Sequence, residues 1–308
     1  MIEKNTMINT RTLVIPTYSG DKWKFEMLCR SMQAFLDPCK VVIIYDTNSE
    51  EVISDFNILI EELLEKFSVE THRGIDVSHV TSAFYFKQDG WVRQQVLKLL
   101  ASFLVDTPEY VILDSKNFFL TKCSLDDIDR PVANKTTSTH FGGRKKIVQN
   151  FIEHVCKFLN YNPHNLHELP TRGSLTPYII RTHVCRKLIE EWPSKNVFFE
   201  WLVAAHNDPN LWISEFLTYE IYEKKLSIKD TGKHLDYASC TIWDGEVNHY
   251  KTPKKIAEYI KREKDKEILV SGFHRKVDPL LSLNDINEIL KICDLEVIMP
   301  QIIKIEIN

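Results

Sequence analysis

The sequence is poor in glycine, and the glycines that it has do not form a nucleotide-binding motif. Its 308 residues include nine glycines. Neither the GxGxxG fingerprint of dinucleotide-binding folds nor the GxxxxGK loop that cradles phosphates occurs, and the first turn holds only Gly20. These absences count against nicotinamide, flavin and P-loop nucleotide chemistry.

Paired cysteines are also lacking. The seven cysteines stand singly without a CxxC pair, and neither an HExxH motif nor a close His/Cys set occurs. Zinc sites and disulfide frameworks need such spacings, so we expect reduced, mostly buried thiols. We expect these histidines to be surface or core residues: His140, His154, His164, His167, His183 and His206.

Long apolar runs and an excess of positive charge are missing as well. No stretch of 18 apolar residues occurs, and residues 1–10 lack the apolar core of a signal peptide. We therefore expect a cytoplasmic protein without a transmembrane segment, and contact with a membrane surface stays open. The net charge of -4 argues against a general nucleic-acid partner, since that role needs a basic surface.

What the sequence does contain is a regular alternation of strands and helices over residues 1–120. Such alternation is typical of a mostly parallel sheet with helices on both faces, so we predict an α/β fold whose first 120 residues form a Rossmann-like half. The predicted strands lie at 12–17, 40–46, 68–71 and 110–114, and the predicted helices at about 22–36, 50–67 and 91–105.

The second half, residues 121–308, is less regular, and we predict that it packs with the first half as one continuous domain. The polar stretch 121–146 is expected to cover a site. The later predicted helices lie at 147–159, 183–192, 197–205, 215–226 and 253–266, with another opening at Ser282. The later predicted strands lie at 178–181, 237–243 and 267–274, with an apolar tail or edge strand at 297–305.

Polar residues follow the ends of the predicted strands. Thr17 and Tyr18 follow the first strand, Asp46 ends the second and Asp114 ends the fourth. Ligands of open α/β sheets bind at the carboxyl ends of strands. The sequence therefore predicts a ligand site there, although Asp46 and Asp114 also suit a plain role in turns.

The helix before Asp114 carries polar residues on one face. Gln94 and Lys98 are four positions apart and therefore share a helix face. Together with Asp114 they could hold a charged ligand. The plainer alternative is that Gln94, Gln95 and Lys98 are solvated while Trp91 and the leucines of this helix form core.

These segments resemble the GT-A type of nucleotide-sugar glycosyltransferase, and in particular a bacterial and viral group. The group is marked by a GWxxQQxxKL pattern and an apolar strand ending in LDS or LDA, which lie here at 90–100 and 110–120. Residues 14–19 match the first strand and turn, and 212–219 are similar to an SEYxxY-like element. The resemblance implies a GT-A fold, transfer of a hexose from a nucleotide diphosphate sugar, and residues 121–308 as the acceptor-binding half.

The resemblance also implies a donor, an acceptor and roles for single residues. The donor would be a UDP-sugar in preference to a GDP-sugar, and the acceptor a glycan. Thr17 and Tyr18 would border the base and ribose, Asp46 would accept a hydrogen bond from a nucleobase N–H, and Lys98 would act as a point charge for a phosphate. The residues expected to face the nucleotide are Gln94, Gln95 and Lys98.

The sequence departs from the GT-A pattern after the fourth strand. GT-A enzymes typically hold Mn²⁺ or Mg²⁺ with an Asp-x-Asp motif, but here Lys116 replaces the second carboxylate. We predict weakened or absent metal dependence, with Asp114 binding ribose or a weak ion and Asn117 binding the substrate. Lys116 would lie near the phosphates, where it replaces part of the metal's charge. The alternative is that Lys116 faces solvent while Asp114 and His274 bind a metal ion.

A cationic turn follows the last predicted strand. His274, Arg275 and Lys276 succeed one another at its end, and such a cluster suits a diphosphate. Plain surface charge is the alternative interpretation.

The resemblance further implies a carboxylate that deprotonates the acceptor in an inverting transfer. Glu215 is our first candidate, with Asp236 and Asp244 in reserve. A first-turn acid that stabilises a helix is the plain alternative for Glu215, and a retaining reaction stays open.

Several aromatic side chains lie in the predicted helices and strands of the second half. We expect seven aromatic residues to be mostly core, with one or two that could stack on an acceptor sugar: Tyr178, Trp192, Phe198, Phe199, Trp201, Trp212 and Trp243.

The second functional hypothesis is a non-catalytic protein of the same fold that binds a nucleotide sugar or a partner. A nucleotidyltransferase is a third, against which the lack of a glycine-rich, basic first loop counts.

Overall fold

The fold is built from strands and helices that alternate along the chain. The computed structural model describes residues 10–129, 145–162, 176–211, 213–227 and 239–300. The strands are β1 (Arg11–Thr17), β2 (Lys40–Tyr45), β3 (Ser68–Arg73), β4 (Glu109–Ile112), β5 (Asn117–Phe119), β6 (Tyr178–Arg181), β7 (Ser239–Ile242) and β8 (Val270–Phe273).

Twelve helices connect or flank these strands in the described ranges. The first five are α1 (Lys22–Phe35), α2 (Glu50–Leu63), α3 (Gly74–Ser78), α4 (Ser82–Tyr85) and α5 (Gly90–Leu100). The next four are α6 (Lys145–Phe158), α7 (Thr182–Glu190), α8 (Lys195–Asn207) and α9 (Glu215–Lys225). The last three are α10 (Asp244–Tyr250), α11 (Pro253–Lys264) and α12 (Leu283–Ile292).

Five strands form a central sheet in the order β3-β2-β1-β4-β6. The β1–β2, β2–β3 and β1–β4 pairs are parallel, and only the edge pair β4–β6 is antiparallel. Every residue of β1 is buried, as expected for a strand covered on both faces. The predicted α/β fold with a mostly parallel sheet is confirmed.

The direction of the chain reverses beside β1. From β1 the chain runs outward to β2 and β3, and then returns through α5 to β4 on the other side of β1. Because β-α-β crossovers are right-handed, α1 and α2 lie on one face of the sheet and α5 on the other. The carboxyl ends of β1 and β4 therefore border a switch point, where ligands of open α/β sheets bind.

A second sheet of three strands has the order β5-β8-β7. It is attached to the first through β5, whose successive side chains point to opposite faces. Phe119 belongs to the hydrophobic cluster of the central sheet, and Phe118 to a second cluster with Phe273 and residues of α11 and α12. The division of the chain at residue 120 stays a prediction, since β6 and α6–α9 pack in the first cluster.

Several predicted boundaries differ from the structure for local reasons. Helix α2 ends at Leu63 rather than at residue 67. In the turn that follows, the Lys66 ammonium donates to the backbone carbonyls of Gln33 and Leu36 at 2.8 and 2.7 Å. Strand β8 begins at Val270 rather than 267, because Glu267 adopts a left-handed conformation with φ of 65°. The short helices α3 and α4 were not predicted.

Some predictions fall outside the described residues. These are the bulk of the polar stretch 121–146, Trp212, Asp236, the start of the strand at 237–243, His140, His164, His167 and most of the tail at 297–305. All seven cysteines are free and buried. In the described ranges, no helix is both long and apolar enough to cross a membrane.

Gly272 is the position where the second sheet allows no side chain. A Cβ there would lie 2.9 Å from the Lys116 carbonyl oxygen and 2.9 Å from Asn117 Nδ2. We predict that Gly272→Ala destabilises the protein by about 1–3 kcal/mol, because β5 and β8 must separate. Chemical denaturation measures this change. In the control Gly245→Ala, a Cβ has no neighbour within 4 Å, and equal destabilisation of both variants would contradict the prediction.

Candidate active site

A cavity of about 290 Å³ opens at the carboxyl ends of β1, β2 and β4, where the sheet has its switch point. Helix α5, the start of α9 and the turns after β7 and β8 complete its walls. Ten residues predicted for the site line this one cavity: Tyr18, Asp46, Gln94, Gln95, Lys98, Asp114, Lys116, Glu215, His274 and Arg275. Their roles stay predictions, but their convergence supports a shared site.

Three other predicted residues do not line the cavity. Thr17 is fully buried, and its hydroxyl oxygen has no hydrogen-bond partner in the described ranges. The side-chain oxygen of Asn117 accepts from the Asp114 backbone N–H at 3.1 Å and from the Thr176 hydroxyl at 2.7 Å, so Asn117 shapes the turn that carries Asp114. Lys276 is exposed and is not part of the cavity lining.

Lys98 lies between two carboxylates at the centre of the site. Its Nζ is 2.9 Å from Asp114 Oδ1 and 3.1 Å from Glu215 Oε1. The residue is 5% exposed, so this face of α5 is not a solvated one. Lys98 thereby links two carboxylates and is not a free point charge for a phosphate.

Lys116 belongs to the same cluster. It forms an ion pair with Asp114 Oδ2, and this oxygen also lies 3.1 Å from the Thr176 hydroxyl oxygen. Both oxygens of Asp114 therefore face an ammonium group. Lys116 is half-buried and lines the cavity.

The pKa values of Asp114 and Glu215 are shifted in opposite directions by their surroundings. Burial alone would raise the pKa of Asp114, but the charges of Lys116 and Lys98 outweigh burial and hold this pKa below its usual value. Burial raises the pKa of Glu215 above its usual value, although Lys98 opposes the effect. Glu215 is thus the carboxylate of this pair that is better suited to accept a proton.

The position of Glu215 follows from the start of α9. Ser214 caps the helix by accepting from the Leu217 N–H at 3.3 Å, and Glu215 is the first helical residue. It is only 2% exposed, yet it lines the cavity. The helix dipole favours a negative charge there, so a role as first-turn acid and a role in the site are compatible.

Asp46 presents one unused oxygen at the end of β2. Its Oδ1 accepts from the Tyr85 hydroxyl at 2.7 Å and from Arg93 Nε at 2.8 Å. Its Oδ2 is buried and has no hydrogen-bond partner among the residues that the structure describes. Burial raises the pKa of Asp46, against the effect of Arg93 and Tyr85. Because buried polar atoms are normally paired, Oδ2 is suited to accept from a ligand N–H.

The turn after β8 is less cationic at the cavity than the sequence predicted. Burial and the positive charges of Lys116 and Arg275 lower the pKa of His274 to about 4, so its ring is neutral at neutral pH. The ring stacks on Trp243, with centroids 3.8 Å apart and an interplanar angle of 23°. Of the described aromatic candidates for sugar stacking, Trp243 is the one that lines the cavity.

The sequence interpretation missed several charged residues of the cavity wall. Lys24 of α1 is fully buried and pairs with Asp278 at 2.7 Å, while its Nζ lies 3.8 Å from Asp21. Asp21 also accepts from the Ser115 hydroxyl. A lysine among apolar residues of α1 was an available signal. Its partner Asp278 is 254 positions away and left no local pattern.

The residues around Asp114 do not fit a divalent cation. A cation beside Asp114 would be repelled by the ammonium groups of Lys98 and Lys116. A cation at His274 would be repelled by the nearby positive charges, of which Lys116 is one. No cluster of three His, Cys, Asp or Glu side chains suited to a metal ion occurs in the part of the chain that the structure describes. The predicted ligand pair of Asp114 and His274 therefore does not suit Mn²⁺ or Mg²⁺.

The fold and site define an α/β protein with a charged cavity at the switch point of its sheet. A sequence-family profile matches residues 8–244. The chain therefore belongs to this family, DUF6492, which is described as a family of unknown function. No curated protein matches the sequence at a significant level.

Solved structures similar to this chain include glycosyltransferases at low sequence identity. The WbbM bifunctional glycosyltransferase has a TM-score of 0.49 and 13% identity, and the match covers 94% of this chain and 50% of WbbM. Galactosyltransferase LgtC, in complex with donor and acceptor sugar analogues, has a TM-score of 0.45 and 9% identity, with 95% and 98% covered.

Core-mannan synthase A from Aspergillus fumigatus, in an Mn/GDP form, is a third similar structure. Its TM-score is 0.40 and its identity 12%, and the match covers 76% of this chain and 72% of the synthase. This chain spans half the length of WbbM. Likenesses this distant carry no argument about activity.

Removal of the Lys98 ammonium tests the central ion cluster. We predict that Lys98→Met lowers the free energy of unfolding by about 3–5 kcal/mol, because a buried carboxylate is left without its cation. The difference in unfolding free energy between wild type and variant should become smaller as the pH falls, since Glu215 can then take up a proton. Urea denaturation at two pH values measures both effects.

The matched control is Lys22→Met. Lys22 pairs with Asp55 near the surface, with side chains 24% and 36% exposed, so its loss should cost about 0–1 kcal/mol. Similar losses for the two variants would show that burial does not set the strength of the Lys98 cluster.

Proposed function

We propose that the protein is a glycosyltransferase that moves a hexose from a nucleotide diphosphate sugar to a glycan acceptor. The observation that carries this proposal is the cavity at the switch point, where carboxylates and cations converge from the ends of β2 and β4, from α5 and α9, and from the turn after β8. The GWxxQQxxKL pattern, four of whose side chains line the cavity, supports the same function.

The donor would lie across the ends of the strands. Asp46 Oδ2 would accept from the nucleobase. Since Oδ1 is already occupied by Tyr85 and Arg93, one acceptor oxygen remains. This suits uracil, which has one N–H on its pairing edge, better than guanine, which offers two donors there. We therefore propose a UDP-sugar.

The diphosphate would bind near Arg275 and Lys116. Arg275 is exposed at the cavity, and no ion pair of its side chain occurs within the described ranges. Lys116 reaches the same wall from the turn after β4. Two cations suit the negative charge that develops on the leaving diphosphate.

Glu215 would take the proton of the acceptor hydroxyl. The acceptor oxygen then attacks the anomeric carbon of the donor hexose, and the bond to the diphosphate breaks. The pKa of Glu215, which burial raises, brings the carboxylate closer to the range of an effective base. This assignment implies inversion at the anomeric carbon.

A non-catalytic nucleotide-sugar-binding protein is the second candidate. The observation in its favour is that Asp114 and Glu215 are both engaged by Lys98. Saturable binding of a UDP-sugar without release of UDP would establish this alternative.

Glu215→Gln tests the proposed base. The variant should keep the donor affinity, since the amide preserves size, while kcat falls roughly 100- to 10,000-fold. Release of UDP in the presence of acceptor and calorimetric donor binding measure the two quantities. Glu200→Gln, an exposed change on α8, is the control. Wild-type turnover by the Glu215 variant would remove Glu215 from this role.

Lys116→Ala tests the replacement of the metal by a lysine. We expect turnover to persist in excess EDTA and kcat of the variant to fall roughly 100-fold, as when one charge-stabilising group is removed. Lys254→Ala, an exposed change on α11, should have no effect. Loss of wild-type activity in EDTA with recovery in Mn²⁺ would refute metal independence and leave the transferase assignment standing.

A further inference from the structure

Two spaced residues of the GWxxQQxxKL pattern contact one carboxylate, and a third contacts one of these two. Trp91, Gln95 and Lys98 stand at positions i, i+4 and i+7 and therefore share a face of α5. Lys98 contacts Glu215 Oε1 at 3.1 Å. The Gln95 amide nitrogen, in the orientation that satisfies its neighbours, donates to the same oxygen at 2.8 Å and also contacts Oε2.

Trp91 determines which end of the Gln95 amide faces Glu215. The indole N–H can only donate a hydrogen bond, and it lies 3.2 Å from the amide oxygen of Gln95 in this orientation. The opposite orientation would set the amide oxygen against the carboxylate and the amide N–H against the indole N–H. The Trp91 ring is itself packed beside His206 of α8, with centroids 5.5 Å apart.

We propose that Trp91 and Gln95 are positioning residues, in which the Trp91 indole N–H orients the Gln95 amide and this amide holds the Glu215 carboxylate. The proposal deepens the proposed function and rests on it for the meaning of Glu215. It also gives the pattern a physical purpose: one amide and one ammonium contact the Glu215 carboxylate, and one donor-only ring orients the amide. Gln95 is 5% exposed, so water does not compete readily for its hydrogen bonds.

The charge on Glu215 depends on few groups. Lys98 on α5 and Asp114 after β4 are the charged side chains that act on it, and the start of α9 adds its dipole. A hydrogen bond donated to a carboxylate favours the ionised form. Removal of the Gln95 donor must therefore raise the pKa of Glu215.

The direct test is an NMR titration of the Glu215 carboxyl in protein labelled with ¹³C at the glutamate carboxyls, assigned with Glu215→Gln. Gln95→Met should raise the Glu215 pKa by about one unit, and Trp91→Phe by less, since the amide keeps some favourable orientations. The double variant should match Gln95→Met, because Trp91 acts through Gln95. Should Gln95→Met fail to fold, Gln95→Asn retracts the amide from the carboxylate.

The matched controls are Trp201→Phe on α8 and Gln149→Met on α6, which lie outside the cavity lining. Neither should move the Glu215 titration. Additive effects of the Trp91 and Gln95 variants, or an unchanged titration in Gln95→Met, would overturn the proposal.

The kinetic test separates positioning from stability. The acidic limb of the kcat–pH profile should shift to higher pH in Gln95→Met, and the KM for the donor should change less than about twofold. Equal losses at every pH, in step with lower thermal stability, would indicate a structural role only. If the wild type releases no UDP from any UDP-sugar, the proposed function fails, while the carboxyl titration still decides the positioning.

Discussion

The ion cluster around Lys98 is the interaction on which the site depends. It ties the last turn of α5 to the end of β4, which follows it in the chain, and to the start of α9, 117 positions later. A buried ammonium is tolerated only with compensating charge, and two carboxylates supply it here. Each of these elements therefore fixes the others, and the cavity takes its shape from their meeting.

The second sheet brings the remaining cations to this centre. Strand β5 follows the turn that carries Asp114 and Lys116, and β8 pairs with it and ends directly before His274. The register of β5 and β8 places Asn117 opposite Gly272. The distance between the Lys116 turn and the Arg275 turn is thus set by backbone pairing, which is stiffer than a loop. The Lys24–Asp278 ion pair adds a second connection, between α1 and the chain that follows β8.

The sequence predicted the central sheet well because β1, β2 and β4 are largely apolar runs separated by amphipathic helices. It also located the face of α5 and the strand ends that line the cavity. It could not predict that Lys98 pairs with Glu215, since that contact spans 117 positions and leaves no periodic pattern. The neutral state of His274 was likewise hidden, because it depends on burial and on the charge of Lys116 across the cavity.

The replacement of a carboxylate by Lys116 changes how an anion can enter the cavity. A diphosphate at Arg275 would compete with Asp114 for the Lys116 ammonium. Asp114 would keep its ion pair with Lys98 when Lys116 turns to the phosphate, so the carboxylate would not be left without a cation. Because an unpaired charge in a low-dielectric site is the costly state, this exchange of partners would be inexpensive. The two lysine partners of Asp114 would therefore let Lys116 bind the ligand while Lys98 holds the frame of the site.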